Sequence, residues 1–230
     1  SGQLLNAFET QTAGVINPQK ILVTQTGLVV FGDIYEKTTI KGFFASISKA
    51  GVFTPLIKYG VRQTQLTGAV SNTDGSFSVV GKSADLLLKV KPLSKGDAIT
   101  LKISAKGVLQ QVARATLKST TRSWDSISAG LLQGGLVKYA KKSEAAVTKF
   151  SALGKPTWND RYPANSSALV ATGTNSWATF ISIGAIAGVP SWKPKVPTAV
   201  ILELGKKGEV ITASSISGSP VAIARNNEIG

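Results

Sequence analysis

From residue 21 to residue 216 the chain is a succession of short runs in which apolar and polar residues alternate, each closed by Gly, Pro, Asn or Ser. Alternation with period two is what a strand with one buried face requires, because successive side chains point to opposite sides of a pleated backbone. The runs are 21–35 (broken at Gly27), 38–48, 52–61, 63–71, 75–81, 86–91 and 98–106, then 167–173, 176–186, 198–205 and 209–216. Asn72-Thr73-Asp74-Gly75 and Gly205-Lys206-Lys207-Gly208 carry the residues of tight turns between two of these pairs. Strands at this spacing, with little helix between them, predict an all-β antiparallel sandwich or barrel.

The most regular stretch is LLLKVKPLSKGDAITLKISAKG, residues 86–107. It predicts a hairpin: Leu86, Leu88 and Val90 on one face, a loop over Pro92–Asp97, then Ile99, Leu101 and Ile103 on the matching face. Lys89, Lys91 and Lys102 fall on the opposite, solvent side. Lysine there can serve a ligand, or simply keep an exposed sheet from pairing with its neighbours.

One segment departs from the period. In residues 124–150, Leu132, Leu136, Tyr139, Val147 and Phe150 approach helical spacing, and Ser143-Glu144-Ala145-Ala146 suits a helix. Gly134-Gly135 interrupts it, so the expectation is one or two short helices connecting strands. No internal repeat and no shift of composition stands out. The expected organisation is an N-terminal segment (1–20), one sandwich domain (21–220) and a C-terminal tail (221–230).

Composition narrows the chemistry. The chain has no Cys, His or Met, which removes thiol nucleophiles, zinc–thiolate sites and any triad built on histidine. Its carboxylates are scattered; Asp33 and Glu36 are the nearest pair, and both read as charges beside a turn. A metal loop, a phosphate-binding glycine loop and a paired-carboxylate site all lack their spacing, so no catalytic residue, metal or cofactor is expected and the chain reads as a non-enzyme. No apolar run is long enough for a membrane-spanning helix, and no membrane partner is expected.

Charge is the positive indication. Lys and Arg number 26 against 12 Asp and Glu, a formal net charge of +14, which attracts polyanions. Three clusters are candidates for contacting phosphates: Arg114, Lys118 and Arg122 at intervals of four; Lys138, Lys142 and Lys149 along the expected helix; and Lys193 and Lys195 in the Pro-rich 190–197 segment. Each could equally be a solvated face. Trp177 and Trp192 are candidates for contacts between subunits, and Trp192 could also stack on a base.

KPLSKGDAITLKISAKG (91–107) and SWATFISIGAIAGVPSW (176–192) look like long strands entered from a glycine-bearing loop. On these the chain resembles the single jelly-roll coat proteins of picorna-like plant viruses of the secovirid type. The Ser1-Gly2 start is similar to what a viral proteinase leaves when it cuts a polyprotein; removal of an initiator Met, or an arbitrary boundary, would account for it too. The resemblance implies a jelly roll, icosahedral assembly with copies of itself or sibling coat proteins, non-specific contact with genomic RNA, and a place in the virion. Many such proteins carry a basic N-terminal arm, whereas here the first basic residue is Lys20. The rival expectations are a phage-tail or pilus-like β subunit, which would share the composition and polymerise, and a carbohydrate-binding sandwich whose exposed tryptophans stack on sugars.

Overall fold

A computed structural model describes residues 13–115, 120–151 and 154–224. Its strands form four antiparallel sheets of four strands each. Sheet 1 holds β1 (Val15–Thr24), β2 (Gly27–Glu36), β3 (Thr39–Ser48) and β4 (Ile57–Tyr59). Sheet 2 holds β5 (Thr64–Ser71), β6 (Phe77–Ser83), β7 (Asp97–Ile103) and β8 (Leu109–Ala115). Sheet 3 holds β9 (Thr121–Ser128), β10 (Leu132–Lys138), β11 (Ser143–Phe150) and β12 (Pro156–Pro163). Sheet 4 holds β13 (Leu169–Thr172), β14 (Ser176–Ser182), β15 (Thr198–Leu204) and β16 (Val210–Ser215).

The all-β antiparallel sandwich is therefore what the chain forms. Its strand order, however, is sequential in every sheet. A jelly roll is made of Greek keys, in which strands distant in sequence lie side by side. These sheets are meanders.

The sheets stack in chain order. Phe31 and Phe44 of sheet 1 meet Leu66, Phe77, Val79, Ile99, Leu101 and Ile103 of sheet 2 in one core. The opposite face of sheet 2, through Val80 and Ala98, meets Trp124, Ile127, Val137 and Ala146 of sheet 3. The far face of sheet 3, with Leu132, Ala145 and Val147, packs on Val170, Phe180, Val200 and Leu202 of sheet 4. Sheets 2 and 3 are thus covered on both faces, and β6, β10 and β11 bury consecutive residues instead of alternate ones. On the outer face of sheet 1, Ile34, Phe43 and Ala45 are capped by Phe53 and Leu56 of the β3–β4 loop.

The second half repeats the first. Sheets 1 and 2 recur as sheets 3 and 4 with the same strand order. An isolated two-residue turn follows the second strand of sheet 2 (bridge Leu87↔Val90), and its counterpart follows the second strand of sheet 4 (Ile186↔Val189). The β3–β4 and β7–β8 loops both use a Ser-x-x-Gly turn, in which the Ser48 or Ser104 hydroxyl accepts from the N–H four residues on. Ser151 does the same between β11 and β12. Gly51, Gly107 and Gly154 hold the positive φ that closes each turn. Two sandwiches of one design are therefore stacked face to face.

Beyond the repeat, which the sequence did not lead one to expect, two further expectations are overturned. Residues 86–91 are not a strand, and 86–107 is not a hairpin. Leu87 and Val90 exchange backbone hydrogen bonds across Leu88 and Lys89, both at positive φ. Leu87 is buried while Leu86, Leu88 and Val90 are exposed, the reverse of the expected faces. A run this short alternates equally well as a strand or as a turn, and β7 finds its partners in β6 and β8. Residues 124–150 are not helical either: apart from the single 3-10 turn Ala129–Leu131 and the turn at 139–142 they are β9, β10 and β11. The alanines that suggested a helix fit because both faces of β11 are covered. The Gly134-Gly135 pair lets β10 run close to its neighbours, since a Cβ on Gly134 would stand 2.5 Å from the Ala168 carbonyl oxygen.

Candidate anion-binding cleft

Where sheet 3 extends past the β8 edge of sheet 2, the step between the sandwiches leaves a cleft of about 350 Å³. Thr100, Ala113, Arg114 and Ala115 line one side, and Arg122, Trp124, Thr148, Phe150, Asn159 and Arg161 the other. The inter-sandwich contact behind it is specific. Thr67 Oγ1 donates to the Trp124 carbonyl at 2.6 Å, and Thr100 Oγ1 donates to Gln133 Oε1 at 3.1 Å.

Three guanidinium groups meet here, each in a different state. Arg114 is committed: Nη1 pairs with buried Asp97 at 3.2 Å and donates to the Ser83 carbonyl at 3.0 Å, while Nη2 donates to the Asp85 carbonyl. Its charge pins the 83–90 connection to β8. Arg161 has partial compensation, donating to Tyr139 Oη at 2.7 Å with Glu144 3.8 Å away.

Arg122 is the exception. The residue is only 8% exposed, and among the described residues no carboxylate lies within ion-pair distance of it. Nη2 makes two long hydrogen bonds, 3.3 Å to Thr148 Oγ1 and 3.4 Å to Asn159 Oδ1, and the buried Nε has no partner. Its guanidinium carbon sits 4.2 Å above the Trp124 ring, which is held edge-to-face by Phe150. Burial, with the Arg161 charge beside it, pulls the Arg122 pKa down to about 10, so it remains a cation at neutral pH. The lining supplies cations, hydroxyls and an amide but no carboxylate. Such a set can hold an anion.

The other basic candidates are dispersed. Lys118 lies outside the described residues. Lys138 and Lys142 are exposed at the β10–β11 hairpin, with Lys142 Nζ 5.5 Å over the Tyr139 ring. Lys149 sits at the opposite end of β11, across from Leu132, partly buried and with its pKa lowered by that burial. The three share no face, because the helix that would align them is two strands. Lys193 and Lys195 are exposed in the β14–β15 connection. Trp192 packs on the core between sheets 3 and 4 and donates Nε1 to Ser182 Oγ at 3.1 Å. Trp177 is partly buried on the outer face of sheet 4, its Nε1 buried without a partner.

Arg161, Thr148 and Asn159 were not candidates from the sequence. Residues 156–163 carry no clear alternation of apolar and polar, so nothing indicated that Asn159 and Arg161 share one side of a strand. The sequence matches no protein-family model, and a search of curated proteins finds no match.

Proposed function

We propose that this chain is a structural subunit of a multi-copy assembly and not an enzyme, with an extended tail- or pilus-like form favoured over a closed shell. One observation carries the reading: the chain is already a stack of two like sandwiches joined by a specific face-to-face contact. Sheet 2 receives sheet 3 on the face away from sheet 1. Its counterpart, sheet 4, presents Trp177, Ile181 and Ile201, all partly exposed, on the corresponding side. A surface of this kind suits a further β layer contributed by another copy. Trp124 is buried and Trp158, Trp177 and Trp192 are partly buried, which counts against the sugar-stacking alternative.

The second reading is the coat protein, with copies of itself and genomic RNA as partners and the virion as its place. The +14 charge favours it; the meander order does not. Electron microscopy of the purified full chain separates the readings. Tubes or fibres support the first, closed particles enclosing nucleic acid support the second, and a monomer at all concentrations overturns both.

A further inference from the structure

We propose that the cleft at the junction of the sandwiches is a binding site for a phosphate oxyanion, held between the guanidinium groups of Arg122 and Arg161. The inference is independent of the form the assembly takes. It begins from what a buried cation requires. A charge removed from water is costly unless it is paired and hydrogen-bonded. Arg114 meets that requirement through Asp97. Arg122, also buried, does not: among the described residues no carboxylate pairs with it, and it has only two long bonds from one terminal nitrogen and an aromatic face; the unpartnered Nε is common to both arginines. Arg161 adds a second positive charge where a carboxylate would be expected.

The chemistry of the missing partner follows from the donors. Planar guanidinium forks recognise carboxylate and phosphate oxygens in pairs. Arg122 and Arg161 line the same cleft, Arg161 only partly compensated by Glu144 at 3.8 Å, and together they suit a tetrahedral group able to offer oxygens to both. The Thr148 hydroxyl already donates to Asn159 Oδ1 at 2.6 Å, which fixes the floor of the cleft, so an anion would be held by the remaining N–H groups of Arg122 and Arg161. Trp124 beneath Arg122 fixes the plane of the fork. The cleft, about 350 Å³, has space for a phosphate group. The phosphate could be free or part of a nucleic-acid backbone; both present the same oxygens.

The test is titration of the full chain with inorganic phosphate and, in parallel, with a short single-stranded oligothymidylate. Binding is read by calorimetry and by thermal shift against chloride of equal ionic strength. Arg161→Gln is the principal variant because Arg161 is the less buried of the two; Arg122→Gln and Arg122→Lys follow, and Lys193→Gln with Lys195→Gln is the surface-charge control. We expect saturable binding of at least one probe, weakened about 10-fold or more by Arg161→Gln and unchanged in the lysine control. Loss in Arg122→Lys would show that the fork, and not charge alone, is needed. Binding of phosphate alone identifies a free-anion site, and binding of the oligonucleotide alone a backbone phosphate. No binding beyond chloride, or binding that Arg161→Gln leaves intact, overturns the proposal; if Arg122→Gln fails to fold, Arg161→Gln still decides.

Discussion

Asp33 provides a quantitative check on the packing of sheet 2 against sheet 1. It is 2% exposed between the two sheets, and its Oδ1 accepts the Leu66 N–H at 2.7 Å. A register shift between Leu66 and Gly68 in β5 accompanies this contact. Burial raises its pKa from 3.8 to about 6, against the opposing effect of that single hydrogen bond. The folded state therefore binds a proton more tightly than the unfolded chain. Stability from this residue is complete below pH 4 and is lost as pH rises to about 6, after which it is level. At about 1.36 kcal/mol per pH unit over roughly two units, the loss approaches 3 kcal/mol. Asp33→Asn keeps an acceptor for Leu66 and removes the charge, so it should abolish this dependence. Its amide N–H groups, if unpartnered, cost about 1–3 kcal/mol. The variant is then expected to lie below wild type at pH 4.5 and near or above it at pH 8. Urea unfolding of both proteins across that range measures the difference directly. Carboxylates whose pKa values are lowered, such as Glu36 beside Lys41 and Lys58, contribute stability that is lost in the opposite direction, as pH falls, and they cancel in the comparison. A wild-type-minus-variant difference that stays constant between pH 4 and 7 would refute the reasoning.

Asp85 should show the reverse sign. Burial alone would raise its pKa, but hydrogen bonds from Thr64 Oγ1 and the backbone N–H groups of Gln63, Arg62 and Val61 outweigh it and lower the value. Its contribution is present at neutral pH and is lost as pH falls below the usual carboxylate range. Asp85→Ala orphans these donors and should cost about 3 kcal/mol or more in urea unfolding at pH 7. Gly134→Ala should cost about 1–3 kcal/mol, because the added methyl meets the Ala168 carbonyl and the Val170 side chain; an equally stable variant would mean that β10 and β13 are not packed this closely.

The strands β3, β15 and β16 of the outer sheets were legible in the sequence and fall within about two residues of their alternating runs, as do β5 and β6 of the covered sheet 2, and the turns at 72–75 and 205–208 are where their Asn, Asp and Gly residues place them. Sheet 3 was missed because its covered strands β10 and β11 are built largely of small residues, whereas sheet 2 is filled by Val, Ile, Leu and Phe. Gly134, Gly135, Ala145 and Ala146 are small for reasons of close packing, and smallness without alternation reads as weak helix. The duplication was hidden because the two halves share turns and strand order more than residues; Ser48-Lys49-Ala50-Gly51, Ser104-Ala105-Lys106-Gly107 and Ser151-Ala152-Leu153-Gly154 were its one visible trace. In the cleft, Arg114 and Arg122 were legible as basic positions. That one is neutralised and the other is not depends on Asp97 and on contacts between sheets, which no local pattern records.

The claim that this chain builds a larger structure through sheet 4 is tested most directly by its molar mass. Light scattering of the full chain over a concentration series should give masses of several copies or more, and Ile201→Lys, which places a charge in the middle of the sheet 4 outer face, should reduce the mass to that of one chain without lowering the unfolding midpoint by more than a few degrees. A wild-type mass of 23.9 kDa at every concentration, or assembly that Ile201→Lys leaves unchanged, would contradict it.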